Sequence, residues 1–346
     1  MAAALMLREN DRFFRRERVF LDRYNPLDRP DDFLLRAYRF PRHKIIELCN
    51  ELRPDLEKAT LRSHSIPVEL QVLSALRFYA SGSFQNVIGD VFGLSQPSIS
   101  RCINDVTDAL VRRINQYIKF PDEAERRTNK SDFYKIAHFP NVVGVIDGTH
   151  IPIKAPNDNE YQYVNRKNFH SINVQCICDA NFKIINAVFR WPGSTHDSYI
   201  WNNSQICRQF EEGDIANGWL LGDSGYALKP WMLVPFMNPS TPAEEEFNRR
   251  HCRTRVTIEQ LFGIVKSRFR CVHKTGGCLC YVPAKCCRII AAVFILHNIC
   301  VDNNIPCLEN DNVPDEHNDL NPPLNEGVVL CGNGQQVRRN LAAQFV

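Results

Sequence analysis

The sequence lacks the features of a membrane, secreted or disulfide-rich protein. No apolar run approaches the length of a membrane span, and the apolar piece near the N-terminus is too short for a secretory signal. The fourteen cysteines, about 4% of the chain, are scattered and fall well below a disulfide scaffold. We therefore expect a globular protein in a reducing compartment, the cytoplasm or the nucleus, and 346 residues give room for two domains.

A large excess of charge of one sign is also missing. Lysine and arginine number 42 and the acidic residues 39, so the net charge of +3 does not by itself indicate a nucleic-acid binder. DNA binding must then be argued from local basic patches. Residues 1–35 hold seven arginines and seven acids, and this balance favours a charged, partly helical lead-in over a nuclear-import or phosphate-binding patch at Arg12 to Arg18.

Residues 36–111 show helical periodicity and predict an all-α region. Within it, Phe84, Ile88 and Phe92 share one apolar helix face, a glycine breaks the helix, and a second apolar helix follows. This spacing is typical of a helix-turn-helix, with Gly89 where the two helices cross. A plain helical hairpin inside a bundle fits the pattern equally well. In the helix-turn-helix interpretation, three side chains project toward a DNA groove: Gln96, Ser98 and Arg101.

A buried strand with a carboxylate in its middle is the most informative stretch of the chain. It follows residues 112–140, which are charged and interrupted by prolines and predict a linker. The run from Val142 to Ile153 is almost entirely small or β-branched and predicts a strand buried on both faces. An ionised carboxylate there costs several kcal/mol unless a cation or donor meets it. Asp147 therefore indicates a metal site or a functional cleft.

Two further acids follow at the ends of predicted elements. Ser171 to Asp179 and Lys183 to Arg190 predict an antiparallel hairpin beside the first strand. The next helix has Asp197 in its first turn, where a carboxylate is usually only a partner of the helix dipole. A short strand then ends at Asp223 on a tight turn.

Residues 242–269 predict one long helix or two consecutive helices, which begin at a capping sequence with proline at the first helical position. The apolar stripe of this helix is Ile258, Leu261, Phe262, Val265 and Phe269. Helical geometry places Gly263, Lys266 and Arg270 beside Glu259, next to that stripe. A lone Glu259 would by default pair with Arg255 one turn earlier.

The remaining segments are less specific. The cysteines and histidine of residues 271–287 do not have the spacing of a zinc site. Ile289 to Ile299 predicts a buried helix that closes the second domain, residues 141–301. Residues 302–346 carry seven acids against two arginines and predict an acidic, largely disordered tail with a small amphipathic piece at Val337 to Phe345.

The order of elements brings acids from two strands and a helix to one edge of a mixed sheet. Such acids repel one another unless something positive lies between them. The proposed ligands are Asp147, Asp223, Glu259 and, with less weight, Asp197. Oxygen ligands without a histidine cluster favour Mg²⁺ or Mn²⁺ over zinc. Basic side chains that could contact phosphates around this centre are Lys154, Arg166, Lys167, Lys266, Arg268 and Arg270.

Four ordered motifs carry a resemblance to a known family. GVIDGTHIPI, WPGSTHDSYIW, LLGDSGYAL and IEQLFGIVKSRFR, followed by LHN at residues 296–298, resemble the catalytic domain of PIF/Harbinger-type DDE transposases and of the nucleases derived from them. The resemblance runs from about Phe40 to Asn303. It implies an α/β, RNase H-like mixed sheet with flanking helices, preceded by an all-α domain that contains the helix-turn-helix.

The resemblance also implies a chemistry and a set of partners. Asp147, Asp223 and Glu259 match the three catalytic acids of the family, Asp197 matches a further family aspartate, and none of these positions is substituted. The family cleaves DNA strands with divalent metal and typically employs a Myb-like protein for DNA binding and nuclear entry. A homo-oligomer is left open.

The sequence therefore leads to a first hypothesis and two rivals. The first is a two-metal DNA endonuclease of the Harbinger lineage, with strand transfer as an extension, in which metal-bound water attacks a phosphodiester. The second is a DNA-binding or partner-binding protein that does not cleave and keeps its acids for the fold. The third, a small-molecule phosphohydrolase, is disfavoured by the N-terminal helices and the basic stripe.

Overall fold

A mixed sheet of five strands forms the centre of the protein. The structure is a computed structural model that describes residues 26–58, 65–307 and 332–345, so the patch at Arg12 to Arg18 lies outside the described residues. The strand order is β3-β2-β1-β4-β5, in which β1, β2 and β3 are successively antiparallel and β4 and β5 run parallel to β1. This arrangement confirms the predicted α/β class with a mixed sheet. The strands are β1 (Val142–Pro152), β2 (Ser171–Cys178), β3 (Ile184–Pro192), β4 (Trp219–Leu221) and β5 (Met232–Leu233).

The helices precede, interrupt and follow the sheet. Before it come α1 (Asp31–Tyr38), α2 (Arg42–Leu56), α3 (Val68–Ser81), α4 (Gln85–Phe92), α5 (Gln96–Val111), α6 (Ile114–Tyr117) and α7 (Glu123–Ala137). Between β3 and β4 lie α8 (Asp197–Asn202) and α9 (Gln205–Glu212). After β5 come α10 (Pro242–Arg268), α11 (Pro283–Asp302) and α12 (Gly332–Ala342).

The N-terminal helices contain two helices joined by a tight turn, as the sequence indicates. Gly93 ends α4 in the left-handed conformation with φ of 61°, and Ile88 and Phe92 are buried. A Cβ on Gly89 would lie 2.4 Å from the carbonyl oxygen of Leu94, so the absence of a side chain at Gly89 allows the turn to pack this closely against α4. Phe84, expected on the same apolar face, is instead 83% exposed, because it precedes α4 as its N-terminal cap residue and does not follow the helical periodicity.

The segment predicted as a linker contains a helix that packs on the sheet. An N-terminal capping box joins Asp122 and Glu125 at the start of α7. Phe133 is fully buried, and the Asn129 amide donates to the Val143 carbonyl of β1 at 3.4 Å. The many charged residues of α7 hide a narrow buried face, so residues 112–140 belong to the α/β unit and do not form a linker.

Helix α11 is the central core helix and anchors the β2–β3 hairpin. The Asn298 amide donates to the Ile184 carbonyl at 2.8 Å and its oxygen accepts from the Ile184 N–H at 2.9 Å, while His297 contacts the Phe182 carbonyl. The predicted hairpin is confirmed. By length and composition alone α11 could cross a membrane, but 72% of its most apolar window is buried in the protein, as expected of a core helix.

The end of the described chain packs on α10. Leu341 and Ala342 are buried, and the Phe345 ring lies against Phe139 and Phe247. Arg250 on α10 lies over the Phe345 ring at 4.5 Å. Residues 332–345 are therefore part of the fold and not of a disordered tail, because their apolar face has a site to fill; the acidic residues 308–331 lie outside the described residues.

Candidate active site

Asp147 lies in the middle of β1, and Asp223 follows just after the neighbouring parallel strand β4. Val145 on β1 pairs with Leu221 on β4, and each aspartate lies two residues further along the chain. Neighbouring strands are about 4.8 Å apart and residues two apart share a face, so both aspartates belong to the same face of the sheet. The run of β-branched residues that makes β1 a buried strand thus places Asp147 next to Asp223.

Backbone N–H groups fix the orientation of both carboxylates. Gly148 N–H donates to Asp147 Oδ1 at 2.8 Å, and Gly225 N–H donates to Asp223 Oδ1 at 2.9 Å. Burial raises the pKa of Asp147 well above its usual range, and the nearby charge of Asp223 raises this pKa further. A positive charge at this position would therefore stabilise the ionised form of Asp147.

Helix α10 brings a third acid and an arginine to Asp147. Arg255 Nη1 donates to Asp147 Oδ2 at 2.7 Å, and Arg255 Nη2 donates to Glu259 Oε1. The sequence suggested Arg255 only as a helical partner of Glu259. The structure shows that it also reaches Asp147, a contact across 108 positions that helical spacing cannot reveal.

Asp197 lies on the opposite face of β1. Gly148 and Gln175 are partners in the β1–β2 ladder and share the face opposite to Asp147. The Gln175 amide donates to the main-chain oxygen of Asp197 at 2.8 Å, and a Cβ on Gly148 would lie 2.3 Å from Asp197 Oδ1. Only glycine at position 148 admits this carboxylate.

Neutral polar groups hold Asp197 in place. The Asn173 amide donates to Asp197 Oδ1 at 2.9 Å, and the Gln175 amide also donates to the Tyr226 hydroxyl at 2.9 Å. Burial raises the pKa of Asp197 to about 6, against the lowering effect of the Asn173 hydrogen bond. Burial also raises the pKa of Tyr226.

Sequence reasoning missed this polar cluster, although β2 carries a signal of it. Ser171, Asn173 and Gln175 alternate with apolar residues in a strand that is buried throughout. Polar residues at every second position of a buried strand indicate that one face meets other polar groups.

The acids suit a divalent cation by chemistry, but they are not gathered as ligands here. In residues 26–58, 65–307 and 332–345, no three acid, histidine or cysteine side chains form a group that could hold a metal ion. The arrangement explains this, because Arg255 lies between Asp147 and Glu259 and Asp197 approaches β1 from the other face. Asp147, Asp223 and Glu259 offer the hard oxygen atoms that Mg²⁺ and Mn²⁺ prefer.

Two of the basic residues proposed to contact DNA are buried. Lys266 is 7% exposed and Arg268 is 5% exposed. Arg268 Nη2 donates to the Ile305 carbonyl at 2.9 Å, and the Arg268 carbonyl accepts from Arg39 Nε at 2.8 Å. Both residues are therefore buried at the end of α10, which argues against the phosphate contacts predicted for them. Arg270 is half-buried in the next turn.

The other proposed DNA-contacting residues lie nearer the surface. Lys154, Arg166 and Lys167 are exposed on the loop between β1 and β2. Asn165 holds this loop, since its side-chain oxygen accepts from the N–H groups of Lys167 and Phe169 and its amide donates to Ser171. Arg166 is close enough to Asp197 to lower the pKa of that carboxyl.

The start of α5 is also accessible. Gln96 and Arg101 are exposed and Ser98 is half-buried. The Gln96 amide donates to Gln85 at 2.6 Å, and the Gln85 amide donates to the Tyr281 hydroxyl at 2.8 Å. The first residue of α5 is thus linked to the α/β unit through two hydrogen bonds.

Comparisons with known proteins identify the family of this chain. Residues 146–298 match the family model described as a DDE superfamily endonuclease. The human and mouse proteins named "Putative nuclease HARBI1" are each 44% identical over 286 residues, which cover 82% of this chain and 82% of each relative. "Protein ALP1-like" from Arabidopsis thaliana is 29% identical over 309 residues, 82% of this chain and 74% of its own. No solved structure matches.

The matched stretch contains all the acids described above, from Asp147 to Glu259. The 286 residues that are 44% identical to the human protein extend well beyond the stretch matched by the family model. The chain belongs to the Harbinger transposase-derived nucleases of the DDE endonuclease superfamily.

Proposed function

We propose that this protein is a divalent-metal-dependent endonuclease that hydrolyses DNA phosphodiester bonds. The observation that carries the proposal is the placement of Asp147 on β1 and of Asp223 just after the adjacent parallel strand β4, with Glu259 on α10 joined to Asp147 through Arg255. Membership in the DDE endonuclease superfamily supports the same chemistry. We infer that the sheet is RNase H-like, with three antiparallel strands followed by two parallel ones.

Asp147, Asp223 and Glu259 would hold the cation, Mg²⁺ or Mn²⁺. Such an ion supplies activation of water and stabilisation of the leaving oxygen, and a pair of ions does both. The protein contributes position: the N–H groups of Gly148 and Gly225 set the orientation of two carboxylates before any substrate arrives. Asp197 is a weaker ligand candidate, because it approaches from the other face of β1.

DNA is the proposed substrate, held by basic and polar groups on two surfaces. Lys154, Arg166 and Lys167 lie on the β1–β2 loop, which is ordered by Asn165. Exposed lysine and arginine contact phosphates without reading sequence.

The second surface is the start of α5, where the helix-turn-helix interpretation places the base contacts. Gln96, Ser98 and Arg101 are its candidate contact residues. We further propose that the protein acts in the nucleus. Its two candidate assemblies are a complex with a Myb-like accessory protein and a homo-oligomer.

The test is cleavage of a supercoiled plasmid by the full-length protein in Mg²⁺ or Mn²⁺ and in EDTA. We expect nicking that requires metal and is absent from Asp147→Asn and Glu259→Gln. The matched control is Glu245→Gln, an exposed acid on the same helix, which should cleave as the wild type does. Cleavage by Asp147→Asn at the wild-type rate contradicts the assignment.

A second function, DNA or partner binding without cleavage, is favoured by one contact. Arg255 pairs with both Asp147 and Glu259 within the protein, so part of the negative charge of these acids is balanced without a metal. This alternative predicts DNA affinity with no metal-dependent turnover in the same assay, with or without an accessory protein.

A further inference from the structure

We propose that Arg255 competes with the divalent cation for its site. In the structure its guanidinium bridges Asp147 and Glu259, and it would be displaced when the cation binds. This inference rests on the proposed function, because it assumes that these two acids hold the cation. It assigns Arg255 a role in setting metal affinity that is separate from holding the fold together.

The geometry places the positive charge of Arg255 where the proposed metal cation would bind. Its two terminal nitrogens donate to different carboxylates, Nη1 to Asp147 Oδ2 at 2.7 Å and Nη2 to Glu259 Oε1. The planar fork of a guanidinium suits such paired contacts, which a single ammonium group cannot reproduce. One oxygen of each proposed ligand is therefore already used by an internal positive charge.

The bridge is partly shielded from water. The side chains of Arg255, Asp147 and Glu259 are 21%, 17% and 32% exposed. Removing one partner from a shielded ion pair leaves an uncompensated charge, which is costly. Without Arg255 the two carboxylates would lack this neutralising group, and a divalent cation would be the natural replacement.

Competition and simple structural support predict opposite changes in metal affinity. If Arg255 only supports the site, its loss lets Glu259 move and weakens metal binding. If Arg255 competes with the cation, its loss removes the competitor and strengthens metal binding, even though the metal-free protein becomes less stable. Both models predict lower stability, so the sign of the affinity change distinguishes them.

The experiment measures Mn²⁺ binding to the full-length protein from the electron paramagnetic resonance signal of free Mn²⁺, together with thermal unfolding in EDTA. Arg255→Gln should bind Mn²⁺ roughly tenfold more tightly than the wild type and unfold at a lower temperature in EDTA. Arg255→Lys should lie between them. Arg253→Gln removes the same charge from an exposed position on the same helix and should change neither quantity.

The outcomes separate this inference from the proposed function. Equal or weaker Mn²⁺ binding by Arg255→Gln, with Arg253→Gln at the wild-type affinity, overturns the inference and leaves the nuclease proposal standing. Wild-type Mn²⁺ binding that survives in both Asp147→Asn and Glu259→Gln overturns the nuclease site and the inference together. If Arg255→Gln does not fold, Arg255→Lys decides: an affinity at or below that of the wild type overturns the inference.

Discussion

The two faces of β1 hold their acids in different ways. On the α10 face Asp147 is met by a cationic side chain, Arg255, whereas on the α8 face Asp197 is held by the neutral amides of Asn173 and Gln175. A guanidinium can give way to a metal ion without loss of charge balance, but an amide is not replaced by a cation. The α10 face is therefore suited to exchange of Arg255 for a metal ion, and the α8 face is suited to holding Asp197 in place.

The largest effect that tests this comparison is on cleavage. Asp147→Asn should lower the rate of metal-dependent nicking by roughly a thousandfold, because it removes a carboxylate oxygen that would bind the metal on the α10 face. Asp197→Asn should lower it by only about tenfold, since Asp197 acts from the supporting face. Single-turnover nicking of a supercoiled plasmid measures both rates. Equal losses in the two variants would show that the faces do not differ in this way.

The next effect is on stability as pH changes. Burial raises the pKa of Asp197 to about 6 in the folded protein, whereas the pKa in the unfolded chain is near 3.9. The contribution of Asp197 to stability is therefore complete below about pH 3.9, and it is lost as the pH rises through 6 and the carboxyl ionises. In EDTA, the unfolding free energy of the wild type relative to Asp197→Asn should fall between pH 4 and 7 by at most about 3 kcal/mol. Chemical denaturation across this range measures the difference. A rise with pH contradicts the burial of this carboxyl.

A smaller change in stability is expected from the amide that supports the α8 face. Gln175→Leu removes the donor to the Asp197 carbonyl and the Tyr226 hydroxyl, which should lower the unfolding free energy by about 2 kcal/mol. Urea unfolding measures this value, with the exposed Gln205→Leu as the control. If both variants lose the same amount, the buried hydrogen bonds of Gln175 do not explain its effect.

The smallest effect concerns the basic residues, which also fall into two groups. Neutralising Lys154, Arg166 and Lys167 together should weaken DNA binding by roughly tenfold and reduce its salt dependence. Lys266→Gln, a change at a buried site, should lower stability and leave DNA affinity unchanged once the protein is folded. Fluorescence anisotropy at several salt concentrations tests both variants, and a reversed pattern would place the DNA on α10 instead.

Local pattern was sufficient wherever one element decides the outcome. The β-branched run around Asp147 predicts a buried strand, and the two strand-like runs at 171–179 and 183–190 predict the hairpin that follows. On α10, all five residues of the predicted apolar stripe, from Ile258 to Phe269, are buried. These features depend on periodicities of two and 3.6 residues that can be read directly from the chain.

Apart from Phe84, which caps α4, the failed predictions concern residues whose burial depends on packing between distant elements. Helical periodicity gives the angle between Lys266 and the apolar stripe of α10, but it does not give the width of the buried face. That face is widened by residues far away in the sequence, since Arg39 and Ile305 both contact Arg268. In α7, charged residues hide Phe133. The contact of Arg255 with Asp147 depends on how α10 crosses β1, which no local pattern contains.

The most direct test of the account is the position of a bound metal. Anomalous scattering from crystals soaked in Mn²⁺ should show density between Asp147, Asp223 and Glu259 on the α10 face, with the Arg255 guanidinium moved away from Asp147. Density on the α8 face at Asp197, or Mn²⁺ bound between the acids while Arg255 still bridges Asp147 and Glu259, would contradict the account.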